Sequence, residues 1–176
     1  MLEPTFNVGM GDIHVAKGPA KYQCIGLGSC IGLALYDPTT DISGMIHVVL
    51  SELPSHRDNE PLGKYADTGI PELLRQMTGL GARTSRLLAA YGGGAHLFSL
   101  GSQTSTTLRV GDRNIAAVQK LLESSRILTV AKDVAGGAGR TMIFHATTGV
   151  VTIRTLNEAT RDLCNLKEAI RGRVAA

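Results

Sequence analysis

Residues 26–47 run Gly26-Leu27-Gly28-Ser29-Cys30-Ile31-Gly32-Leu33-Ala34-Leu35-Tyr36, then Asp37-Pro38-Thr39-Thr40, then Asp41-Ile42-Ser43-Gly44-Met45-Ile46-His47. Two β-like runs flank a cluster of turn formers, the pattern of an antiparallel hairpin. With Asp37 to Thr40 as the loop, Tyr36 lies opposite Asp41, and counting back along that register sets Cys30 opposite His47. Directly opposed side chains share one face with Cβ atoms about 4.5–5.5 Å apart, close enough for a thiolate–imidazolium pair. A slip of one residue would separate them onto opposite faces. On the shared face Gly32 and Ala34 leave room beside Cys30, while Ile31, Leu33 and Leu35 point into the core.

The residues before the hairpin give the thiol its chemical setting. Gly26 and Gly28 let the chain turn sharply and leave amide N–H groups uncovered. A free cysteine is only a few per cent thiolate near neutral pH, so a nucleophilic one needs a base beside it. A histidine at contact distance accepts the proton and can return it to a leaving group. The amides around Gly28, Ser29 and Cys30 can hold a developing oxyanion. That set suits attack on an amide or ester carbonyl followed by thioester hydrolysis. The plainer alternative is a packing cysteine and a hydrogen-bonded strand histidine, which is how these residue types usually occur.

Outward from the hairpin the chain reads as one domain over residues 1–176, long enough to bury a core without disulfides or metal. Apolar content of 43% against 19% charged excludes a disordered chain, and a net charge of +3 is too small and dispersed for nucleic-acid binding. Three cysteines without metal-ligand spacing argue against a disulfide framework and a structural zinc site. No signal peptide and no membrane-length apolar run is visible, so a cytoplasmic monomer is expected.

Strands are expected at Ile13 to Val15 and Lys21 to Ile25, and a polar surface loop over Ser51 to Pro61. A helix follows, with Ile70, Leu73, Leu74 and Met77 on one face and Asp67 or Thr68 as its cap. After a strand over Arg86 to Tyr91, Gly92-Gly93-Gly94 lacks the phosphate-loop pattern and reads as close backbone approach at a strand end. Nothing local requires a role for His96. Gly101 to Thr107 is a polar loop. Gly111-Asp112-Arg113-Asn114 opens a second helix, with Asp112 as its cap and Ile115, Val118, Leu121 and Leu122 inward, before a strand over Ile127 to Val130. A glycine-rich loop, Asp133 to Arg140, precedes a hairpin around Thr147-Thr148-Gly149. Asn157 to Arg171 has the spacing of an amphipathic helix, with Cys164 a packing residue, so residues 156–176 form a helical extension. The sum is α+β: a mixed or antiparallel sheet flanked by helices.

Several ordered motifs resemble the chemoreceptor glutamine deamidases, the CheD family of bacterial chemotaxis. They are Gly26-Leu27-Gly28-Ser29-Cys30, Gly44-Met45-Ile46-His47 and Gly63-Lys64-Tyr65-Ala66-Asp67-Thr68, supported by Gly92-Gly93-Gly94-Ala95 with Phe98, Gly111-Asp112-Arg113-Asn114, and Asp133 with the glycines up to Arg140. The resemblance implies a fold similar to the deamidase domain of cytotoxic necrotizing factor toxins. It implies conversion of glutamines on receptor cytoplasmic helices to glutamate with release of ammonia. Cys30 would be the nucleophile, His47 the general base and acid, and Gly28 and Ser29 the oxyanion turn. It implies no metal or organic cofactor, and a CheC-type chemotaxis phosphatase as a second partner. The family carries a threonine six residues before the cysteine as third member of its triad, and here that position is Cys24. Either Cys24 serves, or another group orients His47, or activity is reduced. The glycine-rich loop also departs from the family pattern, lacking an asparagine and a first arginine. A catalytically weak module that binds a phosphatase or receptor is the alternative function, and redox sensing through Cys24 and Cys30 a more distant one.

Overall fold

The computed structural model describes residues 2–96 and 109–170, so the expected loop over Gly101 to Thr107 and the motif residue Phe98 lie outside the described residues. Among the described residues ten strands form two five-stranded sheets. One sheet has the order β1 (Thr5–Asn7), β3 (Lys21–Leu27), β8 (Arg140–His145), β9 (Val150–Thr155) and β10 (Arg161–Asn165). The other has the order β2 (Ile13–Lys17), β5 (Ile42–Val48), β4 (Ile31–Asp37), β6 (Leu88–Gly93) and β7 (Leu128–Val134). Pairing is antiparallel except for β1 with β3 and β6 with β7. The α+β class therefore holds, but the expected single sheet is two.

Every residue of β4 and β5 is buried, because these strands are covered on both faces. Ile31, Leu33, Leu35 and Ile46 pack under α1 (Ala66–Gly79) and α2 (Val110–Ser124), where Ile70, Leu73, Met77, Val118 and Leu122 face them. Each such side chain removed from water contributes about 1.5–3 kcal/mol. Ala34, Tyr36 and Met45 face the other way, into a second core shared with Tyr22, Cys24, Leu27, Met142, Phe144, Val151 and Ile153 of the facing sheet. Tyr22 bonds across the two sheets to Ser43 Oγ at 2.8 Å, and burial pushes its phenol up to about 12. The layers are helices, sheet, sheet.

The central hairpin corrects the expected register. Asp37 is the last ladder residue, paired with Ile42, and the loop is 38–41 rather than Asp37 to Thr40. The cause is the Asp37 carboxylate, which accepts the Thr39 and Arg83 N–H groups and a bidentate bond from Arg86. Those bonds hold Asp37 in the strand, and Asp41 takes the turn with a φ of 55°. Gly32, not Cys30, is thus opposite His47.

The tail also differs. Instead of a helix over Asn157 to Arg171, the described part contains β10, antiparallel to β9 with a bulge between Asp162 and Cys164. Asn157, at a φ of 65°, lies in the turn between the two strands. The unpaired edge of β9 overrides the helical spacing, because an open strand edge offers a ladder of main-chain bonds. Cys164 packs against the inter-sheet core as expected, and burial pushes its thiol up to about 11. The expected helix caps are also replaced. Tyr65 precedes α1, while the Asp67 carboxylate receives the Leu53 N–H and Thr68 Oγ donates to the Leu62 carbonyl.

Candidate active site

Cys30 sits one residue before β4, in the turn that leaves β3 at Leu27. All three carbonyls of that turn are tied down. Ala95 N–H donates to Gly28 O at 2.7 Å, Gly94 N–H to Cys30 O at 2.9 Å, and Asn114 Nδ2 to Ser29 O at 2.9 Å. With the carbonyls turned into the protein, the amides are left on the other side. Among the described residues no main-chain carbonyl takes the N–H of Gly28, Ser29 or Cys30. This is the arrangement an oxyanion site beside the thiol requires.

The glycines at the end of β6 explain how the turn is reached. A Cβ on Gly93 would stand 2.0 Å from the Cys30 carbonyl oxygen, and the backbone there has a φ of +121°. The expectation of close backbone approach therefore holds, and what is approached is the cysteine itself. Gly93→Ala should cost at least about 3 kcal/mol, from backbone strain plus a clash that no side chain can relieve. Urea unfolding would read this as a lowered midpoint.

His47 is 3% exposed and is caged by the segment before β2. Its Nδ1 donates to the Val8 carbonyl at 3.0 Å. Its main-chain N–H donates to Asp12 O and its carbonyl accepts the Gly11 N–H. A carbonyl can only accept, so the imidazole proton lies on Nδ1 and the lone pair on Nε2. That Nε2 is buried with no partner among the described residues. Burial pushes the imidazole below the ordinary histidine range, opposed by the Val8 bond and the Asp12 carboxylate. His47 is thus neutral near pH 7, with its free nitrogen available as a base.

The register brings Cys30 and His47 together less directly than the sequence reading expects. A shift of two residues preserves the shared face, since Gly32 opposes His47 and Cys30 lies one pair further on the same side. The relation is diagonal, with Cys30 one step beyond the last ladder pair, Ile31 with Val48. Burial pushes the Cys30 thiol up and the His47 imidazole down, each toward its neutral form.

Cys24 is fully buried in β3, and burial pushes its thiol far up, with Cys30 and Asp12 adding to the rise. It lies over Gly32, where a Cβ would meet Cys24 Sγ at 3.2 Å and Leu27 Cδ1 at 3.1 Å. The room expected beside Cys30 at Gly32 is therefore filled by the facing sheet. Of the three options open for Cys24, the hydrogen bond favours the second: the Val8 carbonyl orients His47.

Two further groups border the turn. The loop between β7 and β8 is stapled by Arg140, whose guanidinium bonds the Asp133 carboxylate and the carbonyls of Asp133 and Ala135. Arg161 of β10 joins the same carboxylate. Gly136 O receives the His96 N–H, and His96 Nε2 lies 2.9 Å from Asp112 Oδ1. His56 and the 51–61 segment are largely exposed. Val8 and Asn114 are the site residues that spacing alone could not single out. Asn114 falls within a quoted motif, but nothing in the sequence tells which groups it bonds. Among the described residues no cluster of His, Cys, Asp and Glu could hold a metal ion, and no helix is long and apolar enough to cross a membrane.

Residues 50–155 match the family model described as CheD chemotactic sensory transduction. A probable chemoreceptor glutamine deamidase CheD of Lachnoclostridium phytofermentans is 42% identical over 151 residues, covering 86% of this chain and 93% of the relative. The Moorella thermoacetica protein of the same description is 39% identical over 85% of this chain and 89% of its own. That of Caldanaerobacter subterraneus is 37% identical over 161 residues, 92% of this chain and 99% of its own. An alignment that long takes in Cys24, Cys30 and His47 wherever its ends fall. A crystal structure of a Neisseria meningitidis protein of family DUF152 shares the fold, with a TM-score of 0.50 and 11% identity over 94% of this chain and 71% of that one.

Proposed function

The chain belongs to the CheD family, and from that premise we propose that it deamidates glutamines on the cytoplasmic helices of chemoreceptors through Cys30 and His47. The chain is a protein-glutamine amidohydrolase by family, and the 37–42% identity across nearly the whole chain carries that reading.

The steps follow from the site. The glutamine carboxamide settles against the Gly28–Cys30 amides. His47 Nε2 takes the Sγ proton as sulfur attacks the carbonyl carbon, so charge forms only as the bond does. This suits a pair held neutral by burial. The oxyanion rests on the turn amides, His47 returns the proton to nitrogen, and ammonia leaves. Water, deprotonated by the same Nε2, then cleaves the thioester to glutamate and free thiol.

The test is incubation with a receptor cytoplasmic fragment. A gain of about one dalton per converted glutamine, the amide-to-acid difference of this acyl transfer, is expected with stoichiometric ammonia. No mass change with wild-type protein overturns the reading.

Cys24 has a packing role in this proposal, supported by the Val8 bond to His47. Cys24→Ala should therefore keep kcat within about tenfold of wild type while losing about 1–2 kcal/mol of stability to the missing sulfur. A loss like that of a triad residue would return Cys24 to the machinery. The proposal extends to one domain working in the cytoplasm as a monomer, and to kinship with the cytotoxic necrotizing factor deamidase domain. Cys24, at the position where the family carries a threonine, favours a second reading, a catalytically weak module that binds a receptor or a CheC-type phosphatase. Receptor binding without ammonia release distinguishes it.

A further inference from the structure

We propose that Asn114 is a positioning residue that sets the approach of Cys30 to His47, an inference that rests on the assignment of that pair given above. Asn114 is fully buried in α2. It stands 85 residues from Ser29 and 65 from Val49, yet its Nδ2 donates to both carbonyls at 2.9 Å. Ser29 immediately precedes the thiol residue, and Val49 lies two residues beyond the imidazole.

The β4–β5 ladder ends at Ile31 with Val48, so Cys30 and Val49 would form the next pair. At that point the strands part, and a side-chain amide from a third element bridges their two carbonyl oxygens. One nitrogen bonding two acceptors needs two hydrogens and, in a buried position, no charge. Only a carboxamide meets both conditions among short side chains. Packing does not account for it, because Asn114 Oδ1 is buried without a partner among the described residues, and an apolar side chain of this size would carry no such unmet acceptor.

The surroundings of Asn114 bear on the same atoms. A Cβ on Gly111 would stand 2.6 Å from Gly94 O, so the first turn of α2 is lodged against the segment whose N–H groups hold Cys30 O and Gly28 O. The helix therefore reaches the cysteine turn twice, through the Gly94–Ala95 main chain and through Asn114. The second also reaches Val49, the residue that follows the strand carrying the base.

The experiment is the pH profile of Cys30 alkylation by iodoacetamide, resolved by peptide mass from Cys24 and Cys164. It is run on wild type, His47→Asn, Asn114→Ala and the double variant, beside steady-state deamidation. Asn114→Ala is expected to reproduce the His47→Asn profile, with no further change in the double variant, as coupled groups behave. kcat should fall about 10²-fold, the cost of misplacing reacting groups by roughly an ångström, with KM nearly unchanged. Asn114→Ser, which keeps one donor, should recover part of the loss and stands in should the alanine variant not fold. A wild-type alkylation profile in the folded variants, additive losses in the double, or a His47→Asn profile equal to wild type overturns the proposal. Alkylation needs no receptor, so a wild-type protein that alkylates as expected but leaves receptor glutamines intact counts against the proposed substrate and not against Asn114.

Discussion

Cys30→Ala is expected to abolish deamidation, lowering kcat by about 10⁴–10⁶-fold, the range found when the nucleophile of a covalent hydrolase is removed. Nothing else in the site can replace it. Cys24 is sealed between the sheets over Gly32, and Cys164 lies on the strand paired with β9. The fold should survive, because the turn is held through the carbonyls of Gly28, Ser29 and Cys30 and not through the Cys30 side chain. Unchanged thermal unfolding and receptor binding with no mass gain is the expected pattern. A mass gain equal to that of wild type would remove Cys30 from the mechanism.

His47→Asn should be nearly as damaging, by about 10³–10⁵-fold in kcat, because it deletes the only free ring nitrogen while leaving a donor near the position of Nδ1. The Val8 bond can then persist, so the loss reads as chemistry and not as unfolding. The pH dependence supplies a second signature. Burial lowers the folded pKa of His47 below its unfolded value of about 6.5, so wild-type kcat/KM should hold down to and below that pH before falling. The sign for stability follows. Below about pH 6.5 the unfolded chain binds a proton that the folded chain refuses, so stability declines as pH falls toward the folded pKa. His47→Asn should flatten that decline. An acid limb of kcat/KM above pH 7, or one shared by wild type and variant, would assign the base elsewhere.

Much of this was legible in the residues. The hairpin, the shared face of Cys30 and His47, the apolar faces of both helices and the Thr147-Thr148-Gly149 hairpin all follow from local patterns of period two or 3.6. What local patterns could not supply was anything decided at long range. The register turned on Asp37, whose partners Arg83 and Arg86 lie more than forty residues away. The tail had helical spacing but met an open strand edge. Two sheets instead of one cannot be told from strand patterns when β4 and β5 are apolar on both faces. Val8 acts through a main-chain carbonyl, which leaves no trace in its side chain.

The cage around His47 has a consequence for how the protein becomes active. The base is oriented by a carbonyl 39 residues earlier in the chain, and the thiol turn is tied to a helix that starts some eighty residues later. Contacts of such sequence separation form late, after the loop entropy between them has been met. Hairpins and helices can therefore be complete while the imidazole is still free to rotate. A chain that carries Cys30 and His47 but not yet α2 lacks the Asn114 bridge between Ser29 O and Val49 O, so the setting of the pair is complete only once that helix has docked.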